Sequence, residues 1–199
     1  MKYLYLLVSI LTIGISASNY ESIHISENKK NLSKEIYSIL KRDHFEARFD
    51  KTDFNERYIQ AIIDKLDKNK NYFTLDEVNH FIEKSRFQND DDFNIELGYE
   101  LINLYFKKLI LFTEYQIELT KNNSFDFNKE EYLDIYYEDN QWALSIDDLK
   151  EQWRLETKND LLIAQTSDSS SSEPNNDLIK RYENRIRRVN QQKEEDIFS

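Results

Sequence analysis

Cysteine is absent from the 199 residues, and glycine (2) and proline (1) are nearly so. The first absence rules out disulfides, thiolate metal sites and a cysteine nucleophile. Scarce glycine and proline leave few tight β-turns and favour helices joined by polar loops. Gly14 and Gly98 stand far apart, which excludes a Gly-x-Ser-x-Gly elbow, a phosphate-binding P-loop and a dinucleotide fingerprint. A basic surplus is missing as well. With 38 acidic against 27 basic residues the net charge is −11, which argues against a broad nucleic-acid footprint or attraction to an anionic membrane. The three histidines, His24, His44 and His80, lack paired ligand spacing and read as surface or boundary residues rather than zinc ligands. Carboxylates are plentiful, but nothing singles out a catalytic pair. The sequence therefore marks no catalytic, metal-binding or cofactor-binding residue, and it implies no cofactor.

What the chain has is apolar and aromatic mass: 39% hydrophobic residues, with 13 Tyr and 12 Phe, enough for a sizeable core. The opening "MKYLYLLVSILTIGISAS" sets Lys2 before an apolar run, Tyr3 to Ile15, and ends on the small residues Ser16, Ala17 and Ser18. That is the order of a secretory signal peptide, and the run is short for a membrane span. Residues 1–18 are expected to be a leader cleaved after Ala17 or Ser18, and residues 19–32 to be extended or disordered.

Helical periodicity then recurs along the chain. Ile36, Leu40 and His44 repeat every fourth residue, with Ile39 alongside. Phe54, Tyr58, Ile62 and Leu66 do the same, widened by Ile59 and Ile63, after an Asp53/Glu56 pair with capping-box spacing. A segment following Asp90-Asp91-Asp92 is apolar on several faces, through Leu101, Ile102, Tyr105, Phe106, Leu109, Phe112 and Tyr115. A helix that apolar belongs at the centre of a bundle, and Glu100, Lys107, Lys108 and Glu114 argue against its crossing a membrane. The expected fold is all-α: a multi-helix bundle around this long central helix, spanning 33–165.

The stretch "LDKNKNYFTLDEV" from Leu66 to Val78 imitates a calcium loop, with Asp67, Asn69 and Asn71 at its first, third and fifth positions. The imitation fails where it matters. Tyr72 replaces the turn glycine, and Val78 stands where a bidentate glutamate must close the site. A different reading uses every residue: Thr74 and Glu77 form a capping box, Phe73 and Val78 form a hydrophobic staple, and the Lys/Asn run is a turn between two helices. That new helix carries Leu75, Val78, Phe81 and Ile82 inward.

Residues 122–143 show weak periodicity and are expected to be irregular, with at most a short helix. Ser145, with Asp148 three residues on, caps a helix carrying Ile146, Leu149 and Trp153. "TSDSSSSEPNND" holds the only proline and is expected to form a flexible linker over 166–176. The last helix, 177–199, is patterned by Ile179, Tyr182, Ile186 and Val189. Its Arg181, Arg185, Arg187 and Arg188 read as a solvated face pairing with acids such as Glu183. Asn31-Leu-Ser33 and Asn122-Asn123-Ser124 match the glycosylation sequon, a short and frequent pattern.

Taken together, several of these segments resemble the N-terminal helical region of tail-specific, or carboxy-terminal-processing, proteases. "KRYENRIRRVNQQKEEDIFS" is the nearest stretch, running from Arg181 and Tyr182 through Ile186-Arg187-Arg188 to Glu195-Asp196-Ile197-Phe198-Ser199. Tyr58, Leu66, Asp67, Tyr72, Phe73, Asp76 and Phe81 fall as in that family, as do Trp153 and Lys158, and the likeness runs from about Ser33 to Ser199. The Ser-rich linker departs from the more charged segment of better-known members. The resemblance implies a non-catalytic helical domain followed by PDZ and protease domains, whose Ser nucleophile and Lys base lie outside this chain. It further implies unfolded protein tails as substrates, contacts with an adaptor and a periplasmic location. The final helix runs into Ile197-Phe198 without a Gly or Pro stop, so the chain is expected to be a fragment. The alternative is a free-standing secreted helical adaptor or inhibitor.

Overall fold

The computed structural model describes residues 21–43, 51–86, 93–122, 125–133, 141–166 and 173–194. The leader, His44, the Asp90–Asp92 run, Asn123-Ser124, residues 134–140, most of the Ser-rich linker and Glu195–Ser199 lie outside them. Six helices follow in order: α1 (Glu27–Asp43), α2 (Lys51–Leu66), α3 (Leu75–Arg86), α4 (Ile95–Asn122), α5 (Ile146–Thr166) and α6 (Pro174–Glu194). Apart from a single bridge between Thr74 and Ala143, the described residues are helix and loop. The fold is the all-α bundle expected.

Helix α4 is its axis. It packs against α2, α3, α5 and α6, because apolar side chains cover most of its circumference. Leu97, Leu101 and Phe112 are almost fully buried, with Ile102, Phe106 and Ile110 close behind. The end of α4 that starts the helix meets Ile59 and Ile63 of α2, Phe73, and Val78 and Phe81 of α3. Its far end meets Leu149 and Trp153 of α5. Polar residues also enter this core: Thr113, Gln116, Thr120 and Thr157 are at most 1% exposed. The threonines are tolerated because each hydroxyl donates to the carbonyl one turn back: Thr113 to Leu109, Thr120 to Gln116 and Thr157 to Trp153.

Helix starts follow capping chemistry, though not at every expected place. Thr74 and Glu77 form the box: Glu77 Oε2 accepts from Thr74 N–H at 2.9 Å and Thr74 Oγ1 accepts from Glu77 N–H at 3.3 Å. Ser145 Oγ accepts from Asp148 N–H at 3.1 Å. The cap of α4 is Asn94, whose Oδ1 accepts from Leu97 N–H at 3.0 Å. The Asp53/Glu56 spacing does not mark a helix start. Helix α2 already begins at Lys51, and Glu56 instead grips Arg86 of α3 through two bonds of 2.6 and 2.7 Å. Helix α1 starts at Glu27, inside the stretch expected to be extended, and among its described residues 21–26 are non-helical. There Asn103 of α4 clasps Ile23 reciprocally, accepting its N–H at 2.7 Å and donating to its C=O at 2.9 Å.

Several stripes are rotated from where periodicity put them. In α2 the innermost residues are Ile59 and Ile63, with Tyr58, Ile62 and Leu66 only partly buried. In α6 Leu178 is 1% exposed and takes the inward place expected of Ile179. In α5 Ile146 is exposed. Helix α1 is the clearest reversal. Leu32, Ile36, Ile39 and Leu40 are exposed, and Tyr37 is buried, stacked 5.8 Å from Phe93 and tilted 5.4 Å from Phe54.

At Gly98 the Tyr58 side chain of α2 lies directly against α4. A Cβ there would lie 2.9 Å from Tyr58 Cζ and closer still to its hydroxyl. Gly98→Ala is expected to cost about 1 kcal/mol net, an overpacking penalty of about 1–3 kcal/mol less about 1 kcal/mol of gained helix propensity. Urea melts of the single variant and of the same change in a Tyr58→Phe background check this. The cost should shrink when the hydroxyl is gone.

Candidate functional site

The charged loop between α2 and α3 turns on one buried carboxylate. Asp67 follows the last residue of α2 and is 2% exposed. Its Oδ1 accepts from Asn71 N–H at 2.7 Å, and its Oδ2 accepts from Tyr72 N–H at 3.0 Å and Phe73 N–H at 2.9 Å. Lys70, at φ 56°, supplies the left-handed step that folds the chain back over it. The loop thus closes as a cation loop closes around an ion, with the polarity reversed: the ligand is a side-chain anion and backbone amides surround it. Val78, where calcium would require a glutamate, is buried in the core, and Glu77 spends Oε1 on Lys108 at 2.7 Å. The helix–turn–helix reading holds.

Helix α5 reads the outside of this loop. Trp153 Nε1–H donates to the Asn71 carbonyl at 2.6 Å, Gln152 donates to Asn71 Oδ1 at 2.7 Å, and Asn71 Nδ2 donates to Glu156 Oε1 at 2.9 Å. One turn on, Asp160 accepts from Tyr182 Oη of α6 at 2.8 Å, and that hydroxyl accepts from Gln116 of α4 at 3.2 Å. Arg185 of α6 brings Nη1 to 3.5 Å from Gln116 Oε1. Arg185 is exposed, on the solvated face expected of it, yet it also reaches this seam, and its charge is felt at Tyr72, Tyr105 and Glu156. The result is a continuous polar seam joining the Asp67 loop, α4, α5 and α6. A second clamp fastens the 125–133 segment: Glu131 meets Arg154 and Lys158 at 2.6 Å each and Lys129 at 2.9 Å. The hydrogen bonds from Arg154, Lys129 and Lys158 hold the Glu131 carboxyl well below its ordinary range.

Burial raises both seam carboxyls. Asp67 is pushed up to about 6 by desolvation, with its three amide donors pulling the other way. Glu156 is pushed up to about 7, first by burial, then by the Asp160 carboxylate, against the pull of Arg185. Both groups keep protons in the folded state that the unfolded chain releases near pH 4, so their contribution declines as pH rises through the window from about 4 to 7. From Glu156 alone, unfolding free energy is expected to be about 2 kcal/mol lower at pH 8 than at pH 5. Glu156→Gln preserves the acceptor for Asn71 and should flatten most of that slope in denaturant titrations across this range. Glu56, Glu131 and Glu151, all held down by their cationic partners, act oppositely and lose their contribution as pH falls below the usual carboxylate range.

Chemically the seam is a joint. Its carboxylates accept bonds from fixed amides and phenols, and it pairs no nucleophile with a base. Among the described residues no group of three or more His, Asp and Glu is placed to hold a metal ion. The motif residues noted in the sequence converge here from separate segments: Asp67, Tyr72, Phe73, Trp153 and Tyr182 all touch the seam or its apolar underside. Tyr58 and Phe81 line the α2–α3–α4 core, whereas Asp76 is exposed. Sequence reading missed Gln116, Glu156 and Asp160. The available signal was that Gln152, Glu156 and Asp160 repeat every fourth residue beside Trp153, a spacing that places them on its face of α5.

The chain matches the family described as tail specific protease N-terminal domain over residues 36–199, and it belongs to that family. It is 25% identical over 176 residues to the tail-specific protease of Haemophilus influenzae, an alignment covering 87% of this chain and 25% of that protein. The chain therefore spans about a quarter of that relative's length.

Proposed function

We propose that this chain is the non-catalytic scaffold domain of an exported C-terminal-processing serine endopeptidase, which trims or degrades proteins from their tails. The observation that carries the reading is the family match across 36–199, in a fold whose polar groups are spent on holding helices together. In this reading the domain fixes the position of PDZ and protease segments elsewhere in the polypeptide and shapes the approach of unfolded tails, with an adaptor as a further partner. The nucleophile and its base belong to those other segments. The N-terminal leader sequence supports export to the periplasm.

Two measurements test this. The purified chain should leave an unfolded protein with an apolar C-terminus uncut, while the whole enzyme cuts it. Turnover by the isolated chain that survives a contaminant control would refute the non-catalytic role. Sequencing the N-terminus of the native product should find it beginning after Ala17 or Ser18, and an intact Met1 would remove export.

A further inference from the structure

Helix α1 stands apart from the rest of the bundle. It is tied down by the Tyr37 stack and by Lys30, which meets Glu96 of α4 at 2.7 Å, yet its apolar stripe remains exposed instead of packing into the core. Leu32 is 56% and Ile36 49% exposed. Beneath them lies a cavity of about 460 Å³, walled by Leu32 and Ile36 of α1, Tyr58 and Ile62 of α2, and Ile102 and Phe106 of α4. Its charged lining residues are lysines, Lys29 and Lys65. Helix α1 itself carries five basic against three acidic residues in a chain of net charge −11. An open apolar trough with a cationic rim wants an apolar segment flanked by acids.

The fold also indicates where such a segment comes from. Val189, near the end of α6, is buried against Ile102 and Phe106, with Ile62 and Leu66 packed on the same cluster. Helix α6 therefore delivers its last turns beside the trough. The Haemophilus relative has three quarters of its length outside the region shared with this chain.

We infer that the groove between α1, α2 and α4 is the seat of an apolar, acid-flanked segment from the remainder of the same enzyme, clamped under α1. This rests on the scaffold reading above and gives it a surface. Seated there, the segment covers Leu32 and Ile36 and sets acidic groups against Lys65.

Hydrogen exchange at the α1 amides, compared between the isolated chain and the whole enzyme, tests it. Exchange of 30–40 should slow at least tenfold in the whole enzyme. Ile36→Glu, at an exposed site, should leave the melting temperature of the isolated chain unchanged but release α1 protection in the whole enzyme. Equal exchange in the two forms, in an enzyme that does contain further domains, overturns the groove assignment and leaves the scaffold reading standing. A native product with only this chain's mass removes the occupant and overturns both. Protection in the isolated chain that disappears on dilution names a second copy as the occupant, and also overturns the inference.

Discussion

Replacing Trp153 with alanine is expected to cost about 3–5 kcal/mol of stability, which lowers the melting temperature by about 10 °C or more. The indole is 0% exposed, packs at a tilt 5.0 Å from Phe112 and 6.4 Å from Tyr115, and holds the Asn71 carbonyl through Nε1–H. Alanine removes the largest buried side chain of α5, opens a cavity against α4 and orphans that carbonyl together. Trp153→Phe separates these effects. It retains most of the packing and should lose only about 1–2 kcal/mol, the cost of the missing donor. Chemical denaturation of both variants checks the split. A phenylalanine as damaging as alanine would mean that the Asn71 contact, not the packing, dominates the site.

Asp67→Ala is expected to cost about 3 kcal/mol or more, because three backbone N–H groups lose their acceptor in a place water reaches poorly. A buried carboxylate is itself expensive, as its raised pKa records, so the comparison with asparagine is informative. Asp67→Asn offers one oxygen and turns an NH₂ against at least one amide hydrogen, and it should fall between alanine and wild type. Denaturant melts at pH 8 give the order, and amide exchange at Asn71, Tyr72 and Phe73 should accelerate in parallel. If alanine proves neutral, the carboxylate does not organise the loop.

These two residues also mark what the sequence could and could not disclose. The turn at Asp67 was legible because capping chemistry is local: Thr74, Glu77 and the Phe73/Val78 pair lie within one turn of each other. Helix α4 was legible for the opposite reason, since only a helix buried all round is so apolar. The seam was hidden. Gln116, Glu156 and Asp160 are polar, and patterning assigns polar residues to solvent. Only tertiary packing supplies the Asn71, Tyr182 and Arg185 groups that make their burial tolerable. Thr113, Thr120 and Thr157 escaped notice in the same way, satisfied by their own helices. The Asp53/Glu56 spacing misled because the same four-residue interval also suits a glutamate reaching Arg86 on a neighbouring helix. On α1, periodicity correctly announced a helix with an apolar stripe but carried no information about what would cover it.

The bridge between Thr74 and Ala143 has a consequence for assembly. The Leu75 amide donates to the Ala143 carbonyl at 2.8 Å, and these two residues flank the whole of α4 along the chain. A nascent chain that has emerged only as far as α3 can complete the Asp67 turn and its reciprocal Thr74/Glu77 contacts from local residues alone. The acceptor for Leu75 has not yet been translated. Closing so long a loop carries an entropic toll that local helix pairing avoids, so α2 and α3 can come together first while the start of α5 arrives late. Until then the Asn71 carbonyl has no indole to hold it, and the early hairpin waits with one amide still bonded to water.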